Sequence, residues 1–297
     1  MVPTPGRGLS SAPLAPLLDR MARSWQLFVE VAESADLDAP TRLPGWQARD
    51  VVVHLGTWDD RAPLIDAIRS ARAGADGAPM DPDTVNAAVI AEHRDASDDE
   101  VLDALRRSRD GILAINRREL ATLATAPAMS MLGPLPLAGL VHAGCYELAV
   151  HALDLHAAGA VAPDPALLDA GLAALIDVTG ALAARHGITI AVSAQTPTGG
   201  WRAEIEEDQW TTTAVPAGSV AGPAILGTAV DVLDASAGRV GVPVLLLQRR
   251  IVVQDLTQFL RLAPLVEQVP GIPGAALLSR AAATVTGLTG LLSRLRR

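Results

Sequence analysis

Glu147 and His151 could together bind a metal ion, and they lie four residues apart in a largely apolar segment. In an α-helix, residues at positions i and i+4 lie on the same face, one turn apart. Both side chains can therefore point to the same place. Asp154 lies on the same side of this helix and can stand behind the pair. Ionisable groups on an apolar helix need a partner, which could be a metal ion, an arginine or a water molecule.

A catalytic zinc takes three protein ligands and keeps one position open, so the pair needs a third residue. His54, which also lies in an apolar run with helical spacing, is the best candidate. Asp50 lies one turn before His54 and can orient its ring, as carboxylates behind metal-bound histidines do. On spacing alone, hydrogen-bonded members of the core are the commoner interpretation of isolated histidines on apolar faces.

Two motifs stand out in the chain: Leu43-Pro44-Gly45-Trp46 with Asp50-Val51-Val52-Val53-His54-Leu55, and Glu147-x-x-x-His151-x-x-Asp154-Leu155. Taken together, they resemble the mycothiol-dependent maleylpyruvate isomerase family, one of the DinB-like metal-binding helical bundles. The resemblance covers roughly residues 12 to 185. It implies a four-helix bundle that holds a divalent metal, usually zinc, at His54, Glu147 and His151. Members commonly carry an arginine three residues before the glutamate, and this chain has Gly144 there.

The composition is that of a globular protein, with 49% hydrophobic and 19% charged residues. A formal net charge of −9 argues against a nucleic-acid partner, because phosphate binding needs a basic surface. Cys145 is the single cysteine, which excludes an internal disulfide and suits a reducing compartment. We find neither a signal-peptide pattern nor an uncharged apolar run of membrane-spanning length. We therefore expect a cytoplasmic protein.

Helical spacing extends to about residue 186 and gives way to strand alternation after Gly187. We predict a mainly α protein, in which the DinB-like four-helix bundle precedes a small α+β domain. This domain resembles the sterol-carrier-like domain often fused to such bundles. Pro63 should kink or divide the second long helix, and Ser97 and Glu100 should form a capping box. His93, between two charged residues, is interpreted as solvated. The predicted long helices span residues 13–35, 46–73, 97–123, 136–158 and 166–186.

The predicted organisation is a disordered N-terminus at 1–11, the bundle at 12–186, the α+β domain at 187–265, and an apolar and basic helical tail at 266–297. The tail could lie on a membrane surface, pack on a partner, or cover the chain's own core. Residues 124–136 are predicted to be a loop. Within the second domain, we predict strands at 188–193, 201–205, 210–215, 244–247 and 251–253, and helices at 222–236 and 256–262.

Our leading hypothesis is a metal-dependent isomerase or S-transferase that uses a low-molecular-weight thiol, mycothiol, on a small electrophile such as maleylpyruvate. A coordinated thiol is deprotonated and therefore nucleophilic. Asp50 and Asp154 would orient the ligands. Arg239, in the second domain, is the candidate catalytic residue, because arginine binds carboxylates through two hydrogen bonds. The alternative is a non-catalytic metal-containing protein that carries an apolar ligand in its C-terminal domain. We expect the thiol and a small-molecule substrate as partners, and a monomer or homodimer.

Overall fold

The structure, a computed structural model, describes residues 6–58, 63–76, 79, 81–219 and 221–266. Contacts within the chain divide it into two compact units, Met1–Val178 and Thr179–Arg297. The first unit is helical with one small hairpin, and the second combines a five-stranded sheet with helices. The predicted fold class, mainly α with a bundle followed by an α+β domain, is confirmed.

The first unit is built around helix α7, which is apolar around most of its circumference. Helix α1 packs against α7, and it buries Met21 and Phe28 almost completely. On α7 itself, Leu148 and Leu155 are fully buried. The helices of this unit are α1 (Leu14–Glu33), α2 (Ala48–Leu55), α3 (Pro63–Arg72), α4 (Pro82–Glu92), α5 (Asp98–Leu113), α6 (Arg117–Leu123) and α7 (Leu137–Ala157); α8 (Pro165–Arg185) crosses the boundary between the units.

Two of the predicted long helices are divided. The second is divided as Pro63 predicted, since α2 ends at Leu55 and α3 begins at Pro63, where a missing amide hydrogen costs least. The prediction of one helix over 97–123 is wrong beyond residue 113. A new helix, α6, begins after Asn116, whose side-chain oxygen accepts hydrogen bonds from the backbone N–H groups of Arg118 and Glu119.

Residues 124–136 form more than the predicted loop. Strands β1 (Pro127–Ser130) and β2 (Gly133–Pro136) pair in an antiparallel hairpin. Gly133 follows the turn with a φ of 84°, a conformation that favours glycine. At the N-terminus, part of the segment expected to be disordered forms a 3-10 turn at Gly8–Ser11, and the Leu9 N–H donates to Asp177 Oδ1 at 2.9 Å.

The second unit contains a sheet with the strand order β5-β4-β3-β6-β7, in which β3 and β6 are parallel and the other pairs antiparallel. The predicted helix over 222–236 is wrong in its first half, which is strand β6. The predicted strand over 244–247 is wrong as well, because this apolar run is helix α10; runs this short are ambiguous in sequence. The elements are β3 (Ile190–Thr196), β4 (Gly199–Glu206), β5 (Gln209–Val215), β6 (Ala224–Gly227), α9 (Ala229–Ser236), α10 (Val242–Leu247), β7 (Ile251–Gln254), α11 (Leu256–Phe259) and α12 (Ala263–Val266).

Among the described residues, one helix, α8, is long and apolar enough to cross a membrane. In the most apolar 18-residue stretch of this helix, 67% is buried inside the structure. A buried helix in the core of a protein can have the same length and apolar composition as a membrane-spanning helix. The predicted tail at 266–297 lies outside the described residues except for Val266.

Candidate metal centre

Three predicted ligands, His54, Glu147 and His151, come together in the first unit. One donor atom of each lies within 4.8 Å of the others. Helix α2 supplies His54, and α7 supplies the other two at the predicted i, i+4 spacing. The His151 Nε2 atom lies 3.6 Å from Glu147 Oε2. The His54 and His151 rings meet edge to face, with 5.3 Å between centroids.

Helix α2 is fixed by its buried face and by contacts at its start. Its residues 51–53 are fully or almost fully buried. At its start, Gln47 and Asp50 form a capping box, in which the Gln47 N–H donates to Asp50 Oδ2 at 2.8 Å. Arg49 donates to the Ala96 carbonyl at 2.7 Å and pairs with Asp98 at the start of α5. These contacts fix the helix that carries His54.

His54 has a different hydrogen-bond partner from the one predicted. The His54 ring is hydrogen-bonded to the side chain of Asn86 on α4. The Asp50 carboxylate instead caps its own helix by accepting from the Gln47 N–H. Burial, followed by the charge of His151, lowers the pKa of His54 to about 3, and the Asn86 bond opposes this shift. His54 is therefore a neutral imidazole near pH 7, which is the form that binds metals.

Asp154 lies behind His151, as the spacing predicted. Its Oδ2 atom is 3.1 Å from His151 Nδ1, and its side chain is completely buried. Arg42, before the first motif, donates to Asp154 Oδ1 from Nε at 3.2 Å and from Nη2 at 3.0 Å. This arginine, 112 residues from its partner, was not identified from the sequence.

Trp46 contacts both histidines. Its ring lies parallel to His151, at 6° between planes and 6.4 Å between centroids, and edge-on to His54 at 5.8 Å. In contrast to His151, which is buried, Glu147 has a side chain that is 45% exposed. Trp46 therefore covers one side of the cluster, and the side beside Glu147 is accessible to solvent.

Gly144 lies one turn before Glu147 on the same side of α7. A Cβ atom built there would meet no atom within 4 Å, so the space beside this residue is open. Cys145, in contrast, faces Ser24 of α1 in the core, and burial raises the pKa of its thiol to about 11. A buried thiol with a raised pKa is a poor nucleophile, and we assign Cys145 no part in the centre.

Arg239 lies in the second unit, after α9. Its Nη1 atom donates to the Ala237 carbonyl at 3.1 Å, and its backbone N–H donates to the Asp234 carbonyl at 2.9 Å. These bonds fix the backbone and the side chain locally. The suggested role of Arg239 as a carboxylate clamp stays a prediction.

The donor set fits a divalent metal ion. Two imidazole nitrogens and one carboxylate oxygen, with one open side, are the ligands of many catalytic zinc sites. Tetrahedral ligation at about 2.1 Å places ligand atoms roughly 3.4 Å apart. The distance of 3.6 Å between His151 Nε2 and Glu147 Oε2 is close to this value, and all three donor atoms lie within 4.8 Å of one another. Rotation of the half-exposed Glu147 side chain can adjust these distances.

Comparison with known proteins finds a family model that matches most of the first unit. Residues 18–156, which include all three candidate ligands, match the family model of the mycothiol maleylpyruvate isomerase N-terminal domain. The resemblance seen in the two motifs is confirmed. A search of the curated proteins found no match.

Two solved structures are similar to the chain. The crystal structure of the mycothiol-dependent maleylpyruvate isomerase is 18% identical, with a TM-score of 0.46, over 79% of this chain and 93% of that one. A histidine-to-alanine mutant of the mycothiol-dependent maleylpyruvate isomerase is 17% identical, with a TM-score of 0.47, over 83% of this chain and 95% of that one.

Proposed function

We propose, on the premise that residues 18–156 belong to the family of mycothiol maleylpyruvate isomerase N-terminal domains, that this protein is a metal- and thiol-dependent enzyme. The thiol is mycothiol or a similar small thiol, and the substrate is a small electrophile such as maleylpyruvate. The reaction is isomerisation or thiol transfer. The observation that carries the proposal is the convergence of His54, Glu147 and His151 within 4.8 Å.

The residues of the centre have distinct parts in this proposal. His54 and His151 provide imidazole nitrogen donors, and Glu147 provides a carboxylate oxygen at the accessible side. Asp154 accepts a hydrogen bond from His151 Nδ1 and thereby orients the ring with Nε2 toward the centre. Zinc, when bound, supplies a Lewis-acid position at which a thiol is held as thiolate.

The substrate enters beside Glu147, where the side chain is exposed and Gly144 leaves open space. This chain has Gly144 where family members commonly carry an arginine, so its substrate should not need a cation at this position. Arg239 is proposed to bind a substrate carboxylate, since a guanidinium matches a carboxylate through two hydrogen bonds.

The first test is elemental mass spectrometry of the purified full chain beside Glu147→Gln. We expect near-stoichiometric zinc in the wild type and at least a tenfold loss in the variant, because one of three ligands is weakened. Glu30→Gln is the matched control, since Glu30 is an exposed carboxylate on α1 that bonds to Gln26. A wild-type protein that takes up no metal, even after incubation with zinc, would overturn the proposal.

The second test is maleylpyruvate isomerisation by the zinc-loaded enzyme with and without mycothiol. We expect turnover only with the thiol, and its loss in His54→Ala. Arg239→Lys should raise KM more than it lowers kcat if Arg239 binds the substrate carboxylate. Zinc binding without thiol-dependent turnover would restrict the conclusion to a metal-binding protein.

Gly144 also favours the alternative function, a binding protein that carries an apolar ligand. In that case, organic extraction of the full chain purified from cells should release a stoichiometric lipid, detectable by mass spectrometry. The metal-loaded protein should then show no affinity for the thiol in calorimetry. Lipid-free protein that binds the thiol excludes this alternative.

A further inference from the structure

The segment Thr41–Trp46, here called the 41–46 loop, lies before α2 and is closed on itself by hydrogen bonds. The backbone N–H and the hydroxyl of Thr41 both donate to the Trp46 carbonyl, at 3.0 and 2.9 Å. The Trp46 N–H donates to the Leu43 carbonyl at 3.1 Å. Gly45, with a φ of 80°, permits this tight turn. The loop therefore holds its side chains at defined positions.

Two side chains of the 41–46 loop reach His151 from different sides. Trp46 lies parallel to its ring. Arg42 reaches it through Asp154, and its Nε and Nη2 atoms donate to the same carboxylate oxygen, Oδ1. The other oxygen, Oδ2, lies 3.1 Å from His151 Nδ1. Asp154 is completely buried, and Arg42 forms an ion pair with it at 3.0 Å, which compensates for the burial of the carboxylate.

We propose that Arg42 is a positioning residue for His151. By holding one oxygen of Asp154, Arg42 turns the other toward Nδ1 and keeps the imidazole as the tautomer that carries its hydrogen on Nδ1. The lone pair of Nε2 then points to Glu147, into the candidate centre. The effect on metal affinity rests on the proposed function, whereas the effect on the tautomer does not.

A purely structural role for Arg42 makes different predictions. If Arg42 only neutralises a buried carboxylate, its replacement lowers the stability of the fold but leaves the affinity of the folded protein for metal unchanged. If Arg42 positions His151, the folded variant loses metal affinity and the imidazole loses its single tautomer. Metal affinity and tautomer therefore separate the two roles.

The experiment measures the zinc affinity of the full chain by competition with a chromophoric chelator, in wild type and Arg42→Met. We expect affinity to fall about 10- to 100-fold, the usual effect of losing a group behind a metal ligand. Arg106→Met is the matched control, because Arg106 on α5 donates from Nε and Nη2 to a single carboxylate oxygen of a distant residue, Glu33, and α5 supplies none of the three candidate ligands. Its affinity should stay within about twofold of wild type. Equal affinities in Arg42→Met and wild type would overturn the proposal.

Nitrogen-15 NMR of the histidines in the metal-free protein provides the second readout. We expect His151 to show one tautomer with Nδ1 protonated in the wild type, and a mixture in Arg42→Met. If Arg42→Met does not fold, Arg42→Lys retains the charge but cannot reproduce the two bonds from a planar group, and the same shift is expected there. A wild-type protein that binds no zinc but shows this change overturns the proposed function and supports the role of Arg42. An unchanged tautomer overturns the role.

Discussion

The indole ring of Trp46 lies parallel to the imidazole of His151, and the same indole meets His54 edge-on. Trp46 is therefore in contact with two of the three candidate ligands, one on each of two helices. A residue in this position should report on the occupation of the centre.

We predict that cobalt(II), added to the metal-free protein, quenches the fluorescence of Trp46. The quenching should saturate near one equivalent, because the ring lies beside the histidines that would bind the ion. Titration of Trp46→Phe should show most of this quenching lost. Trp201→Phe, which replaces a buried tryptophan of the second unit, should retain it. Equal quenching in both variants would contradict this placement.

Asn86 should contribute to metal affinity through His54. Its side chain is hydrogen-bonded to the His54 ring, so Asn86→Ala frees the ring to rotate. We expect zinc affinity to fall by roughly tenfold, as for other groups that orient metal-bound histidines. The measurement is the same chelator competition. Asn116→Ala, which removes the cap of α6, is the control: it should lower the thermal midpoint without changing the affinity of the folded protein.

Gly144 and Gly180 should respond in opposite directions to the same substitution. A Cβ at Gly144 meets open space within a helix, so Gly144→Ala should stabilise the fold by about 0.5–1 kcal/mol. A Cβ at Gly180 would lie 2.6 Å from Trp210 Cδ1, so Gly180→Ala should destabilise it by about 1–3 kcal/mol. Urea unfolding measures both free energies. A destabilised Gly144→Ala would contradict the open space beside the centre.

The open space also predicts that Gly144→Arg folds. Arginine is a good helix former, and its side chain can extend past Glu147 toward solvent. The variant should unfold at a temperature no lower than the wild type, as measured by circular dichroism. If the cation missing at this position limits the use of acidic substrates, kcat/KM for maleylpyruvate should rise in this variant.

The positions of the candidate metal ligands could be predicted because short-range rules determine them. The i, i+4 spacing of Glu147 and His151 sets them on one face of α7, and the motif around His54 carries the family resemblance. The position of Asp154 follows from the same repeat. Helices α1, α7 and α8 could be predicted to within a few residues, since each has a long apolar pattern and a clear end.

The partners of these ligands depend on tertiary contacts that no local pattern specifies. Arg42 lies in a loop and meets Asp154 across 112 residues. His93, interpreted as solvated because of its charged neighbours, instead stacks on Trp58 with 3.6 Å between ring centroids. Asp50 was chosen for its position relative to His54, but its carboxylate bonds to the nearby Gln47 N–H. Local hydrogen bonds of this kind compete with longer contacts.

His142 should make the fold sensitive to acid. It is completely buried in α7, and no described residue bonds to either of its ring nitrogens. Burial, with a smaller effect of the Arg20 charge, lowers the pKa of His142 to about 3, from 6.5 in the unfolded chain. Because the unfolded state binds this proton first, the free energy of unfolding falls by about 1.4 kcal/mol per pH unit from near pH 6 toward pH 3.

Replacement of His142 by leucine should remove this acid-dependent loss. Urea unfolding of the metal-free protein at pH 7, 6 and 5 should show the difference in unfolding free energy between His142→Leu and wild type growing in favour of the variant as the pH falls. Other buried histidines, such as His54, contribute equally to both proteins and cancel in this difference. His156→Leu, an exposed position on the same helix, is the control for the loss of an imidazole. A difference that stays constant from pH 7 to pH 5 would show that His142 is not held as a neutral group in the folded state.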